Sequence, residues 1–231
     1  MIRLSALLVV AVLAAAAGVE AATQPRYQHA SFTLTGKRPA HASGEHFVIR
    51  YVNPHDPHAK PAPERHVTAT LPRGARIDTR RPAACSAADA ELVARGGAAC
   101  PAASRVGRGR GVVDTGFPGP GRAIAADVEV FNTRGGFLTV NTARDFHYRN
   151  VFHFRVRGRT WSTSTPRLPG TPPDGGALAL VDIHIFKRPG YITTPRRCPR
   201  RRYWVTAMRF SYDGGVTQTE RTRTPCKRAR R

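Results

Sequence analysis

Short runs of alternating apolar and polar residues, separated by turn-forming residues, are the dominant pattern of this sequence. Helical periodicity is scarce, whereas β-branched and aromatic residues recur at every second position. Ten of these runs predict strands: 31–36, 46–52, 66–71, 110–116, 125–132, 137–142, 151–158, 177–186, 203–212 and 216–222. Ten short strands with turns between them favour an antiparallel sandwich or barrel, and we expect an all-β, antiparallel two-sheet sandwich.

The last two runs form the clearest local element. Along 203–212 one face is apolar and the other, which carries Arg209, is polar. Because a strand alternates its faces, this register predicts burial of one set of side chains, namely Trp204, Met208, Phe210 and Tyr212. The intervening Asp213-Gly214-Gly215 supplies residues that tolerate positive φ, so we expect a tight hairpin there.

The first 21 residues have the pattern of a secretory signal peptide. One basic residue precedes an apolar run over 4–17, and small residues lead to a cleavage position after Ala21. The run is shorter than the roughly 20 apolar residues of a membrane span. We therefore expect export, followed by one secreted domain over 22–231, in which 226–231 form a basic tail without fixed structure.

The four cysteines of an exported chain predict two disulfides. Between Cys85 and Cys100 lies a helix-start signal, Ser86 with Asp89, and then two glycines that can end a helix. This spacing predicts a helical excursion of about ten residues closed by a Cys85–Cys100 bond. The remaining cysteines, Cys198 and Cys226, then form the second predicted bond, because this pairing joins residues that are near each other in the sequence. None of the cysteines has the C-x₂-C spacing that zinc sites and thioredoxin-type motifs use.

Residues 71–109 carry a Leu-Pro-x-Gly motif, a Cys–helix–Cys-Pro unit and a Ser-x-Val-Gly close. In these motifs the chain resembles a family of uncharacterised secreted proteins of high-GC Actinobacteria. The likeness continues in "PGTPPDGG", "YITTPRRCP" and "YDGGVTQTERTRTPC" and extends from about Gly44 to Cys226. The resemblance implies export, two disulfides and a β-rich fold, and it implies no particular activity.

Positive charge is in large excess, with 37 Lys and Arg against 15 Asp and Glu and a net charge of +22. Such a chain favours anionic partners. A high-GC genome offers an alternative explanation, because it enriches Arg, Ala, Gly and Pro together.

A bond between Cys198 and Cys226 would bring their Cα atoms to about 5.5–6 Å and gather nine cations at one end of the molecule. We call this the cationic cluster, and it comprises Arg196, Arg197, Arg200, Arg201, Arg202, Lys227, Arg228, Arg230 and Arg231. We expect it to bind an anionic cell-wall polymer, an anionic lipid surface or another polyanion, with a salt-dependent affinity and no sequence preference. A basic tail that only keeps the chain soluble is the alternative.

Catalytic motifs are absent from the sequence. It contains no G-x-S-x-G, H-E-x-x-H, Walker or EF-hand pattern, and no specific nucleic-acid motif. The alternating glycines Gly107, Gly109 and Gly111 are followed by a strand pattern, so we interpret them as a glycine-rich edge strand or bulge and not as a phosphate loop. We expect no cofactor.

Histidines provide two weaker candidates. The segment 55–58, "HDPH", together with His66, could surround a copper or zinc ion. Asp182 and His184 share one face of a predicted strand and could act as an orienting carboxylate and a base. Exposed loop histidines and polar strand faces usually have neither role, so we assign no metal ligand and no catalytic residue.

Two hypotheses for function follow. The first is a non-enzymatic secreted or wall-associated protein that binds anionic surfaces. The alternative is an extracellular hydrolase whose site the sequence does not reveal. A hydrolase needs a concave cleft in which carboxylates or histidines converge, whereas a polyanion-binding protein needs only a basic face.

Overall fold

The architecture is known from a computed structural model that describes residues 25–227. The predicted signal peptide and residues 228–231 lie outside the described residues. The described part contains one α-helix, α1 (Asp89–Arg95), and 14 strands: β1 (Gln28–Leu34), β2 (Ala42–Ser43), β3 (Glu45–Tyr51), β4 (Glu64–Thr70), β5 (Arg76–Ile77), β6 (Arg105–Asp114), β7 (Ala123–Thr133), β8 (Gly136–Ala143), β9 (Arg149–Arg157), β10 (Thr160–Ser164), β11 (Ala177–Ile185), β12 (Ile192–Thr193), β13 (Tyr203–Tyr212) and β14 (Thr217–Pro225).

Eleven strands form one continuous antiparallel sheet in the order β1-β3-β11-β6-β7-β8-β9-β10-β4-β13-β14. Three short strands form a second sheet in the order β2-β12-β5. Every one of the ten predicted strands lies in the large sheet. The pattern did not predict β10, nor the three two-residue strands of the small sheet.

The edge strands β1 and β14 lie against each other and nearly close the large sheet. The amide of Phe32 donates to Thr222 Oγ1 at 3.2 Å, and the amide of Leu34 donates to Thr224 Oγ1 at 3.1 Å. Side-chain hydroxyls therefore take the place of a backbone ladder at this seam. The all-β, antiparallel class is confirmed, but the two-sheet sandwich is not, because most strands belong to one barrel-like wall.

The inward side chains of this wall form the main core. At its centre, the Trp161 ring has four aromatic neighbours with centroids between 5.5 and 6.0 Å away: Phe32, Phe47, Phe137 and Phe154. Aromatic pairs at these separations stabilise a core beyond the area that they bury.

The terminal hairpin agrees with its prediction. Trp204, Met208, Phe210 and Tyr212 are buried, and Arg209 is exposed. Gly214 and Gly215 adopt φ values of +68° and +76°. These are conformations that a glycine reaches without steric cost.

The predicted helical excursion and both predicted disulfides are present. Cys85 and Cys100 are bonded across α1, with their Cα atoms 5.0 Å apart. The helix spans seven residues, and its N-cap is Ala88, which makes no side-chain cap hydrogen bond. The cap therefore lies two residues after Ser86, the residue at which the sequence predicted it. Leu92 is the buried residue of the helix and packs on Phe131 and other outward apolar residues of the sheet.

The glycine-rich segment lies in β6, a central strand between β11 and β7, so the edge-strand interpretation was wrong, whereas the bulge alternative agrees with a register shift between Arg105 and Gly107 in the pairing with β7. A Cβ added at Gly109 would lie 2.2 Å from the carbonyl oxygen of Asp182, and one at Gly107 would lie 2.5 Å from that of His184. The glycines are needed because β6 approaches the backbone of β11 closely.

Candidate functional site

The Cys198–Cys226 bond, with Cα atoms 5.7 Å apart, organises the described part of the cationic cluster. The amide of Cys226 donates to the carbonyl of Arg202 at 2.8 Å, and Trp204 Nε1 donates to the carbonyl of Arg197 at 3.1 Å. These bonds fix the loop while leaving its basic side chains exposed: Arg196, Arg197, Arg200, Arg201, Arg202 and Lys227. Arg228, Arg230 and Arg231 lie outside the described residues.

The cluster continues onto the outer surface of the sheet. Arg201 lines one shallow groove together with Arg221 and Arg223 of β14. The guanidinium carbon of Arg223 lies 4.8 Å from the centroid of the Tyr203 ring, a cation–π contact that orients it. Val205 also lines this groove and is 41% exposed.

We call the outward side chains of β9, β10, β4, β13 and β14 the basic face. It contains five exposed arginines: Arg155, Arg157, Arg209, Arg221 and Arg223. The carboxylates of these five strands are Glu64 and Glu220, and both belong to the opposite face of their strands. Within residues 25–227, none of the five arginines forms an ion pair.

Strand register arranges the basic face in rows. One row crosses five strands and contains Arg221, Ala207, Thr70, Thr160 and Arg157. The next row contains Arg209, Thr68, Ser162 and Arg155. With strands about 4.8 Å apart, the first row spans about 19 Å along the sheet. Hydroxyl groups between the arginines add neutral hydrogen-bond donors.

The basic face includes a groove between β9 and β10. Arg134, Arg155 and His66 contribute to its lining, together with Ser162 and Ser164. His153 and Asp89 lie at the same groove and form an ion pair, with Nε2 and Oδ1 2.9 Å apart. The groove therefore offers a concave path next to the two rows.

Several arginines elsewhere on the sheet pair with a nearby carboxylate. On the outer side of β11, β6 and β7, Arg110 lies 3.2 Å from Asp182 and Arg105 lies 3.4 Å from Glu129. Arg144 lies 2.7 Å from Asp127. The exposed Arg50 of β3 and Arg108 of β6 form no ion pair among the described residues, so unpaired positive charge is densest on the basic face but is not confined to it.

At the end of the sheet that carries the proline-rich segments 52–66 and 162–176, the interior contains an apolar cavity of about 80 Å³. Small inward residues on neighbouring strands leave this space, among them Gly111, Ala126 and Ala143. The apolar side chains of Ile124 and Leu178 also line it and are only half-buried, so the cavity reaches the surface. Lys60 Nζ donates to the carbonyl of Gly175 at 2.6 Å and thereby joins the two proline-rich segments.

Glu64 is the carboxyl group in the lining of this cavity and is almost fully buried. Burial raises its pKa to about 8, although a hydrogen bond from the Thr165 hydroxyl opposes the rise. At neutral pH the cavity therefore contains a mostly protonated acid.

Asp182 and His184 lie on the outer surface of β11, as their spacing predicted, and a third residue joins them. His46 of β3 is directly opposite His184, and the two imidazoles stack with centroids 3.7 Å apart. His46 Nε2 lies 2.9 Å from Asp182 Oδ1, and His184 Nε2 lies 3.7 Å from the same oxygen. Sequence reasoning missed His46, because the pairing of β3 with β11 is not visible in a local pattern.

The pKa values of two of these three residues, Asp182 and His184, are shifted by their surroundings. Desolvation raises the pKa of Asp182, but hydrogen bonds from His46 and Arg110 outweigh it, so the pKa is below its ordinary value. Partial burial, His46 and Arg108 lower the pKa of His184. The imidazole of His184 is therefore mostly neutral at physiological pH, with a lone pair to offer.

The other candidate metal site does not assemble. His55 and His58 are exposed on the loop before β4. In the part of the chain that the structure describes, the group of three or more potential ligands that converges is His46, Asp182 and His184.

No protein-family model, curated protein or solved structure matches this chain. A functional hypothesis therefore rests on the chemistry of this protein's own surfaces. The two disulfides are typical of an oxidising compartment. Across residues 25–227, no helix has the length and apolar character needed to cross a bilayer.

Proposed function

We propose that this is an exported, non-enzymatic protein that binds linear anionic polymers through the basic face and the adjoining cationic cluster. One observation carries the proposal: a face of five neighbouring strands carries five exposed arginines, on β9, β13 and β14, and no outward carboxylate. Anionic groups that bind this face would contact guanidinium groups that form no ion pair with a carboxylate of residues 25–227. The predicted signal peptide and the two disulfides support export.

A polymer fits this face better than a membrane surface does. A peripheral membrane site combines basic residues with large apolar side chains that enter the bilayer. Among the described residues, Val205 is the exposed large apolar side chain of the five strands, whereas Phe117, Phe146 and Tyr148 lie in loops and Val93 lies on α1. Two rows of arginines separated by hydroxyls suit repeated contacts with the anionic groups of a chain.

The alternative function, an extracellular hydrolase, has less support. The interior cavity is lined by one carboxyl group, Glu64, and by no histidine of the described chain. The convergent histidines, His46 and His184, lie on the outer face of the sheet, away from that concavity. Among residues 25–227, the groove between β9 and β10 is concave and contains His66, His153 and Asp89, but His153 and Asp89 are both exposed and pair with each other, so a hydrolase has less support than polymer binding.

The test is the salt dependence of binding by the mature, oxidised chain. Heparin serves as a sulfated probe, single-stranded oligothymidine as a phosphodiester probe, and phosphatidylglycerol vesicles as the lipid probe. A triple variant, Arg209→Gln, Arg221→Gln and Arg223→Gln, should reduce the slope of log affinity against log salt by about 2 for the phosphodiester probe, because about 0.7 is lost for each contact.

A control variant lowers the net charge by the same amount: Arg95→Gln, Arg105→Gln and Arg144→Gln. Each of these arginines pairs with a carboxylate away from the basic face. We expect this variant to keep the slope of the unmodified protein within about half a unit. Equal slopes for both variants would show that net charge, and not this face, determines binding. Binding to vesicles alone would favour a lipid surface.

A further inference from the structure

We propose that His46, His184 and Asp182 form a binding site for a divalent transition-metal ion of the zinc or copper type. The site is distinct from the basic face and does not depend on polymer binding. It rests on three ligand atoms that lie within 4.8 Å of one another. Two imidazole nitrogens and one carboxylate oxygen are a donor set that zinc and copper favour over calcium and magnesium.

The spacing of these atoms is close to that of a metal site. Ligand atoms about 2.0–2.1 Å from a tetrahedral zinc ion lie about 3.3 Å from each other. The distances from Asp182 Oδ1, 2.9 Å to His46 Nε2 and 3.7 Å to His184 Nε2, fall on either side of that value. The two rings are nearly parallel, at 15°, so both would have to turn out of this stacked arrangement for their in-plane nitrogen lone pairs to meet at one ion.

The backbone holds the three residues in place. His46 and His184 are opposite each other on β3 and β11, and Asp182 is two residues before His184 on the same face. Both strands lie inside the large sheet and pair with neighbours on either side. The ligands are therefore presented by a rigid support, which limits the loss of conformational freedom on binding.

The surroundings of Asp182 also fit a ligand role. Arg110 Nε binds its other oxygen, Oδ2, at 3.2 Å and leaves Oδ1 directed at the imidazoles. Carboxylates that bind metals commonly have such a hydrogen-bonded partner, which fixes their orientation. Arg108 lies opposite His184 on β6 and brings a positive charge that weakens cation binding. We therefore expect removal of Arg108 to strengthen binding.

The test is calorimetric titration of the mature, oxidised chain with Zn²⁺, and with Ca²⁺ for comparison. We expect one Zn²⁺ per chain with micromolar affinity, and no heat from Ca²⁺. His46→Asn and His184→Asn should each weaken Zn²⁺ binding at least tenfold, and Arg108→Gln should strengthen it severalfold. His153→Asn is the matched control, because His153 faces a single carboxylate, that of Asp89, on another part of the surface.

A second measurement uses the unmodified protein and does not depend on the folding of a variant. In NMR spectra, Zn²⁺ should shift the imidazole proton signals of His46 and His184 before those of His55 and His58. Unchanged affinity in both ligand variants, or shifts confined to His55 and His58, would overturn the assignment. So would the absence of Zn²⁺ binding at millimolar concentration.

Discussion

The hydroxyl of Thr165 donates a hydrogen bond to the carboxyl group of Glu64, which is otherwise enclosed by the apolar end of the core. A second carboxyl group, that of Glu45, is buried at the start of β3, whereas Tyr51 at the end of β3 lies close to Glu64. Glu45 and Tyr51 are six positions apart along β3, about 20 Å at 3.3 Å per residue. The core thus contains two separate buried acids.

These acids predict a protein that loses stability as the pH rises. Burial raises the pKa of both Glu45 and Glu64 from 4.5 to about 8. Between these values the folded state holds protons that the unfolded chain has released. The free energy of unfolding should therefore fall with increasing pH through this window, by about 1.4 kcal/mol per pH unit for each group. Urea unfolding at pH 5.5 and 7.5 measures the change.

Glu64→Gln isolates the contribution of one acid. The amide remains neutral at both pH values, so this variant should keep only the fall that Glu45 causes, and its pH dependence should be shallower by about 1.4 kcal/mol per unit. An equally steep dependence in the variant and the unmodified protein would show that Glu64 is ionised in the folded state.

The Cys198–Cys226 bond should control the seam of the sheet. Cys226 follows β14, and Thr224 two residues earlier accepts the amide of Leu34. Cys198→Ser with Cys226→Ser should cost roughly 3–4 kcal/mol of stability. It should also accelerate hydrogen exchange at Phe32 and Leu34 more than at other core amides.

The other disulfide provides the control for this effect. Cys85→Ser with Cys100→Ser removes a bond of similar entropic value, about 3 kcal/mol, that lies at α1 and away from the seam. In this variant, hydrogen exchange at the amides of Phe32 and Leu34 should accelerate no more than at other core amides. Identical exchange profiles in the two double variants would contradict a local role of the terminal bond.

Two glycines of one strand should respond in opposite ways to alanine. At Gly111 a Cβ would meet nothing closer than 3.6 Å and would enter the interior cavity. Gly111→Ala should therefore stabilise the protein by about 0.4–1 kcal/mol, through the lower entropy of the unfolded chain. At Gly109 a Cβ would collide with the backbone of β11, so Gly109→Ala should destabilise by about 1–3 kcal/mol. Thermal unfolding of the two variants measures both changes in stability. Equal changes for Gly109→Ala and Gly111→Ala would contradict the packing described for β6.

Local features of the fold could be predicted from the sequence because they depend on neighbouring residues. Period-2 alternation identified ten strands of the large sheet, and Asp213-Gly214-Gly215 identified the hairpin. The strand β10, "TWSTS", escaped because its hydroxyl-rich sequence adjoins a proline-rich segment. The same strand lies between β9 and β4 and completes the wall.

Features that depend on strand order could not be predicted. Arg157 and Arg221 belong to one row only because β10, β4 and β13 lie between them. His46 meets His184 for the same reason, through the pairing of β3 with β11. No local pattern encodes which distant strands become neighbours, so the cationic cluster was predictable and the basic face beside it was not.

The seam has a consequence for how this molecule behaves among its own copies. Unpaired amides at the rim of a β-sheet are templates on which a second chain can build a fibril. Here the amides of Phe32 and Leu34 are already occupied by Thr222 and Thr224. Each edge strand of the large sheet thus covers the other, so these two edges are closed to pairing with a second copy of the chain.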